Sequence, residues 1–171
     1  MLGGKETLEH LWTPWRMEYI LSEKPRECPF CRAVEAGDDR ACHIVYRGEH
    51  CFVILNKYPY NNGHLMILPY RHVAELHEMT PEERREMMEL LELCVRVLRQ
   101  SSRPDGFNVG LNLGEAAGAG VQCHIHVHVV PRWHGDTNYM TVVNGVRVIP
   151  ELLDETWERL KPIFDALTSQ H

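Results

Sequence analysis

The stretch QCHIHVHVVPRW, Gln122 to Trp133, carries histidines at alternate positions. Successive side chains of a β-strand point to opposite faces. A strand from Cys123 to Val130 therefore puts His124, His126 and His128 on one face and Ile125, Val127 and Val129 on the other. The apolar face needs a core beneath it. The other face becomes a wall of imidazoles about 6–7 Å apart, close enough for one bound substrate to meet two of them. Histidines at i and i+2 can chelate one zinc ion, can be hydrogen-bonded fillers, or can do chemistry. Filler for all of them demands a separate partner for each of three adjacent rings. Zinc for all of them leaves Cys28 and Cys31 short of ligands for a closed tetrahedral site. A division, one histidine on a metal and the others reacting, accommodates both motifs.

Working outward, Gly114 to Gly120 (GEAAGAG) is a glycine-rich loop that delivers the chain into this strand. At Gly118, Ala119 and Gly120 the small side chains let backbone N–H groups come close to phosphate oxygens. Phe107 to Leu113 reads as the preceding strand. His43 to Arg47 and Cys51 to Asn56 flank Arg47-Gly48-Glu49-His50 as a hairpin, and His64 to Pro69 (HLMILP) is a short buried strand. Thr80-Pro81-Glu82-Glu83 is a helix start with a capping box, and Met87, Leu90, Leu91, Cys94, Val95 and Leu98 recur at helical spacing behind it. Leu11 to Ile20 reads as a short helix or arm, Asp136 to Val148 as a hairpin around Asn144-Gly145, and Pro150 to Leu167 as a closing helix. The fold class is α+β: about five antiparallel strands, a main helix and a C-terminal helix, with residues 1–27 as an N-terminal arm and 28–171 as one domain.

The chain has 171 residues, 44% hydrophobic and 25% charged, the composition of an ordinary globular protein. Eighteen Lys and Arg against 24 Asp and Glu give a formal charge of −6, which disfavours sequence-independent binding to nucleic acid. No window approaches the roughly 18 apolar residues of a membrane span, so no membrane partner and a cytoplasmic location are expected. Cys28 and Cys31 alone are spaced as a chemical unit, a tight CPFC knuckle whose thiolates can reach one ion. Cys42, Cys51, Cys94 and Cys123 read as packed thiols.

The run His-φ-His-φ-His-φ-φ, preceded by a strand ending in Asn112 and a glycine-rich loop, resembles the histidine triad (HIT) family of nucleotide hydrolases and transferases. The likeness extends from CPFC through the strand with His64, the PYRH segment at Pro69 to His72, and the main helix. The stretches LWTPWRMEYI, LNKYPYNNGHLMILPYRH, GFNVGLNLG and PRWHGDTNYM are similar to the bacterial branch of diadenosine tetraphosphate phosphorylases, also called ATP adenylyltransferases. The resemblance implies a family fold and a homodimer formed by joining sheets. It also implies His126 as the nucleophile that takes a nucleotidyl group from a dinucleoside polyphosphate, with His128 bonding the phosphate or leaving group and His64 orienting from behind. Asn112 and the backbone of Gly118, Ala119 and Gly120 would hold non-bridging oxygens, Asn56 would meet ribose, and Trp133 would stack on a base, its alternative being packing. Where many members carry Gln then Ser or Thr before the triad, this chain has Gly118-Ala119-Gly120-Val121, so backbone donors must do that work. Zinc-containing members imply Cys28, Cys31, His72 and His124 as a closed structural zinc site, with His43 and His50 as substitutes for His72. Phosphorolysis with inorganic phosphate as acceptor is the expected activity. The alternatives are hydrolysis with water as acceptor, on dinucleoside polyphosphates or nucleoside phosphoramidates, and a zinc-stabilised nucleotide-binding module without turnover.

Overall fold

The computed structural model describes residues 27–136 and 151–169. The arm read over residues 11–20 and, from position 137 on, the hairpin read around Asn144-Gly145 lie outside them. The chain divides into two compact units. One comprises Pro25–His134 with Ile149–His171 and carries every element described below; the other, Met1–Lys24 with Gly135–Val148, falls almost entirely outside the described residues.

Five antiparallel strands form one sheet in the order β1-β2-β3-β5-β4: β1 Ile44–Arg47, β2 Cys51–Leu55, β3 Leu65–Pro69, β4 Gly106–Leu111 and β5 Val127–Arg132. Among the described residues three α-helices accompany them, α1 Pro29–Glu35, α2 Pro81–Ser102 and α3 Leu153–Thr168. The strand side chains that face α2 (Val53, Leu55, Leu65, Ile67, Val127, Val129) meet Leu90, Cys94, Val97 and Leu98, and Leu160 and Phe164 of α3 close the same core. Each such side chain, fully buried, contributes roughly 1.5–3 kcal/mol. On the opposite face Phe30, Ile44, Phe52, Ile54, Met66 and Leu68 form a second, smaller cluster. This is the face on which the histidines lie.

The α2 start is capped as its sequence demands: Thr80 Oγ1 accepts from Glu83 N at 3.2 Å, and the Glu83 carboxylate accepts from Thr80 N at 2.8 Å. One turn on, the Glu86 carboxylate accepts the N–H groups of Glu49, His50 and Cys51 at 2.7, 2.6 and 2.7 Å, fastening the β1–β2 turn to the helix. A Cβ at Gly48 would lie 2.9 Å from the Cys51 carbonyl oxygen and 2.4 Å from that carboxylate, so a side chain there would displace the turn and its tether.

Three local expectations are corrected. The CPFC knuckle is the start of a helix, with Cys28 at the N-cap and Pro29 suited to the first turn. The triad strand begins at Val127, not Cys123, and runs on to Arg132. Pairing with β3 stops at Ile67↔Val127, short of Pro69, which has no N–H for the ladder, and Ile125 N instead donates to Val73 O at 2.7 Å. The alternation survives without the ladder, since Ile125, Val127 and Val129 all enter the main core. Cys51 and Cys94 are packed thiols, but Cys123 is exposed, because the regular strand that would have buried it starts four residues later.

Candidate active site and metal centre

Helix α1 sets two sulfurs one turn apart, Cys28 at the N-cap and Cys31 three residues on. His72, just beyond β3, and His124 complete a group whose ligand atoms all lie within 4.8 Å of one another. Sγ of Cys28 is 3.4 Å from Nδ1 of His124, and Sγ of Cys31 is 3.3 Å from Nδ1 of His72 and 3.7 Å from Nδ1 of His124. A tetrahedral zinc ion with Zn–S of ~2.3 Å and Zn–N of ~2.0–2.1 Å has S···N edges of about 3.5 Å, so these spacings fit the ion. The tautomer fits too. His124 Nε2 lies 2.9 Å from the Pro69 carbonyl, an acceptor only, so Nε2 carries the proton and Nδ1 is left bare for a metal. Burial and the adjacent Cys28 push the Cys31 thiol up to about 11, so that sulfur becomes a thiolate only with a cation beside it. His43 and His50 stand apart from this group: His43 bonds Asp154 at 2.8 Å, and His50 lies beside Glu49.

The remaining triad rings are buried, His126 at 6% and His128 at 8% exposure, over His64 at 1%. Nδ1 of His126 is 2.8 Å from the His124 carbonyl, so Nδ1 holds the hydrogen and Nε2 keeps its lone pair. Burial holds the His126 pKa below the ordinary histidine value, opposed by that backbone bond, and keeps the ring neutral. Behind it runs a relay. Tyr60 N donates to His64 Nδ1 at 3.0 Å, which puts the His64 proton on Nε2; that N–H meets Nδ1 of His128 at 2.9 Å. His128 must then carry its own hydrogen on Nε2, 3.5 Å from the Asn112 side-chain amide, which accepts that N–H when its oxygen is turned to the ring. The ring centroids of His126 and His128 are 4.8 Å apart. A bare nitrogen and an N–H donor thus sit side by side, the pair that displacement at phosphorus requires.

The loop before the triad supplies fewer donors than its glycines promise. Gly118, at φ +83°, closes a turn in which its N–H bonds Glu115 O at 2.9 Å and Ala119 N–H bonds Gly114 O at 3.3 Å. Among the described residues Gly120 alone of the three keeps its N–H without such a bond. Asn56 is engaged with the relay, its Nδ2 3.3 Å from His64 Nδ1 and its Oδ1 accepting from Tyr58 N at 2.9 Å. Trp133 Nε1–H donates to Ser102 O at the end of α2, a contact that supports packing, and Arg132 donates to the Asn108 side chain.

Two residues at the site escaped sequence reading. Tyr60 anchors His64 through its backbone and lays its ring 4.7 Å from that of His64; its position four residues ahead in YPYNNGH was the available signal. Phe30, between the cysteines, meets His124 at 5.7 Å and His126 at 5.4 Å, and its signal was an aromatic in a metal-spaced CxxC.

Residues 38–135 match the HIT domain model. Over 165 residues, 91% of this chain and 84% of its relative, the sequence is 44% identical to a Mycobacterium tuberculosis protein named AP-4-A phosphorylase. It is 32% identical over 134 residues, 78% of this chain and 98% of the relative, to an uncharacterized HIT-like protein of Methanocaldococcus jannaschii. Among solved structures it resembles a zinc-bound histidine triad family protein from Mycobacterium smegmatis, with TM-score 0.69 and 30% identity over 85% of this chain and 98% of the other.

Proposed function

This chain belongs to the histidine triad (HIT) family, and on that premise we propose that it transfers a nucleotidyl group from a dinucleoside polyphosphate to inorganic phosphate, converting diadenosine tetraphosphate to ADP and ATP. The observation that carries the reading is the state of His126: a neutral ring whose Nδ1 is 2.8 Å from a carbonyl and whose Nε2 is bare. That nitrogen attacks the α-phosphorus, and the P–O bond to the polyphosphate breaks. His128 Nε2–H donates a hydrogen bond to the polyphosphate oxygen, which leaves as the ATP anion, and the chain Tyr60–His64–His128 holds that N–H in place. Inorganic phosphate then attacks the adenylyl group on His126. An anionic phosphate oxygen forms the new P–O bond, the P–N bond breaks and returns its electron pair to His126 Nε2, and ADP leaves. Asn112 and the Gly120 N–H hold the non-bridging oxygens, whose charge shifts as phosphorus becomes five-coordinate. The name of the Mycobacterium tuberculosis relative favours phosphate over water as acceptor.

Cys28, Cys31, His72 and His124 would hold a zinc ion, which would supply a structural crosslink between α1 and the triad run. The sheet edges support the proposed homodimer. β1 is covered by α3, where Trp157 Nε1–H donates to Ile44 O at 2.8 Å, whereas Asn108, Val109 and Gly110 of the other edge strand, β4, are exposed among the described residues.

Incubation of the protein with diadenosine tetraphosphate, with and without phosphate, tests the acceptor: ADP forms only with phosphate, and AMP in its absence indicates water. His126→Ala lowers turnover on the order of 10⁴-fold or more while keeping bound zinc. Full activity in that variant sinks the reading.

A further inference from the structure

The metal cluster and the reacting histidine share parts. His124 belongs to both: its Nδ1 lies 3.4 and 3.7 Å from the two sulfurs, while its main-chain carbonyl accepts the His126 Nδ1–H at 2.8 Å. Phe30 makes a second link. It stands between the cysteines in sequence, is 8% exposed, and its ring meets His124 edge-on at 5.7 Å and His126 at 5.4 Å. The His126 ring thus contacts two rings, Phe30 and His128, and is hydrogen-bonded within the protein at Nδ1. That single bond sets the tautomer only while the ring is held toward the carbonyl. An imidazole free to turn about its Cβ–Cγ bond swaps nitrogen for carbon at that point, loses the bond, and gives the Nε2 lone pair no fixed direction.

We propose that Phe30 is a positioning residue: seated between the two sulfur ligands, it couples occupancy of the metal cluster to His126 and holds that ring as the Nδ1–H form with Nε2 aimed at the substrate. Its catalytic meaning rests on the reading of His126 as nucleophile, but the state of the ring is measurable without substrate. A metal on Cys28, Cys31, His72 and His124 fixes the α1 start against the triad run, and with it the phenyl ring that packs on His126. Without the metal, α1 meets His124 only through thiol–imidazole contacts and the phenyl ring itself, and that ring keeps its packing on Ile44, Phe52, Ile54, Met66 and Leu68 but loses the crosslink that fixes it against the triad run.

The test is long-range ¹H–¹⁵N NMR of the histidine rings in the full chain loaded with Zn²⁺, beside steady-state kinetics and metal analysis. Loaded wild type shows His126 with a protonated Nδ1 and a bare Nε2. Phe30→Ala, still binding zinc, moves His126 toward mixed tautomers and lowers kcat on the order of 10²-fold, with KM changed by less than about threefold. Phe30→Tyr, which restores the ring, recovers both. Cys31→Ser breaks the cluster without altering Phe30 or His126, gives the same mixture of tautomers, and carries the test if Phe30→Ala fails to fold. The proposal is overturned if His126 keeps its wild-type nitrogen shifts in these variants, or if Phe30→Ala raises KM alone. Failure of the transfer reading looks different: wild-type protein never becomes adenylylated, whatever the ring's tautomer.

Discussion

The two ends of the histidine run use one side chain in opposite ways. At His124 the ring gives Nε2–H to the Pro69 carbonyl and turns Nδ1 to two sulfurs; at His128 it accepts His64 Nε2–H on Nδ1 and turns Nε2 to Asn112. The end with the Cys28, Cys31, His72 and His124 cluster opens to solvent through His72, which is exposed, while the other end rests on His64, which is buried. An imidazole becomes a soft-metal ligand or a proton donor according to which nitrogen its neighbour occupies. The middle residue, His126, spends Nδ1 on the His124 main-chain carbonyl and keeps Nε2 bare.

The largest effect separates the ends by removing the metal. In Cys28→Ser the zinc content falls from about one per chain toward none, and thermal unfolding moves down by several kcal/mol of stability, because a closed site contributes its binding free energy to folding. Zinc retained in the variant would mean that the spacing of Cys28, Cys31, His72 and His124 is not a ligand set. Cutting the other end, His64→Ala takes away the donor to His128 Nδ1 and leaves the His128 proton free to sit on either nitrogen. A fall in kcat between about 10²- and 10⁴-fold is expected, with zinc content unchanged. If both variants lost metal and turnover together, the two ends would not be separable.

What could be read from the sequence follows the same division. The alternation in Ile125 to Val129 sorts side chains between two faces, and the structure keeps that sorting although the ladder fails at Pro69. The cap at Thr80 and the strands around His64 were equally visible, because turn, cap and period are local signals. The choice of ring nitrogen was not visible, since Pro69 and His64 lie 55 and 64 residues from the histidines they direct. The Gly118–Gly120 loop misled for a related reason. Glycine advertises an approachable backbone, but two of those N–H groups are used in closing the turn that glycine permits. Phe30 was hidden as well, since its partners are gathered only by the fold.

A smaller effect is electrostatic. Burial, and then the charge of His126, bring the His128 pKa down to about 4 from an ordinary 6.5. The groups facing it are His64 of the β3 approach, His126, the Tyr60 ring and Asn112, none of them a carboxylate. Above pH ~6.5 the ring is neutral in the folded and unfolded chains alike. Below that the unfolded chain takes up a proton that the folded one refuses, so stability falls as pH drops toward 4, by up to about 3 kcal/mol from this residue. Urea unfolding at about pH 7 and about pH 5 measures the slope, and His128→Asn flattens it. An unchanged slope would place the pH sensitivity at the metal end instead.

The smallest expected effect sharpens the relay itself. Tyr60 holds His64 in two ways, by a main-chain N–H at 3.0 Å and by a ring 4.7 Å from the imidazole and 5.6 Å from that of His128. Tyr60→Ala removes the ring and leaves the N–H, so a relay set by the backbone keeps its tautomers. The loss is then that of aromatic packing, about 1 kcal/mol in urea unfolding, with kcat reduced less than about tenfold. A fall as deep as that of His64→Ala would mean that the ring, and not the peptide group, orients the proton chain. Because Gly63 at φ +75° and the bond from His64 N to Asn61 O shape this turn without the Tyr60 side chain, the backbone donor survives the substitution and the milder outcome is expected.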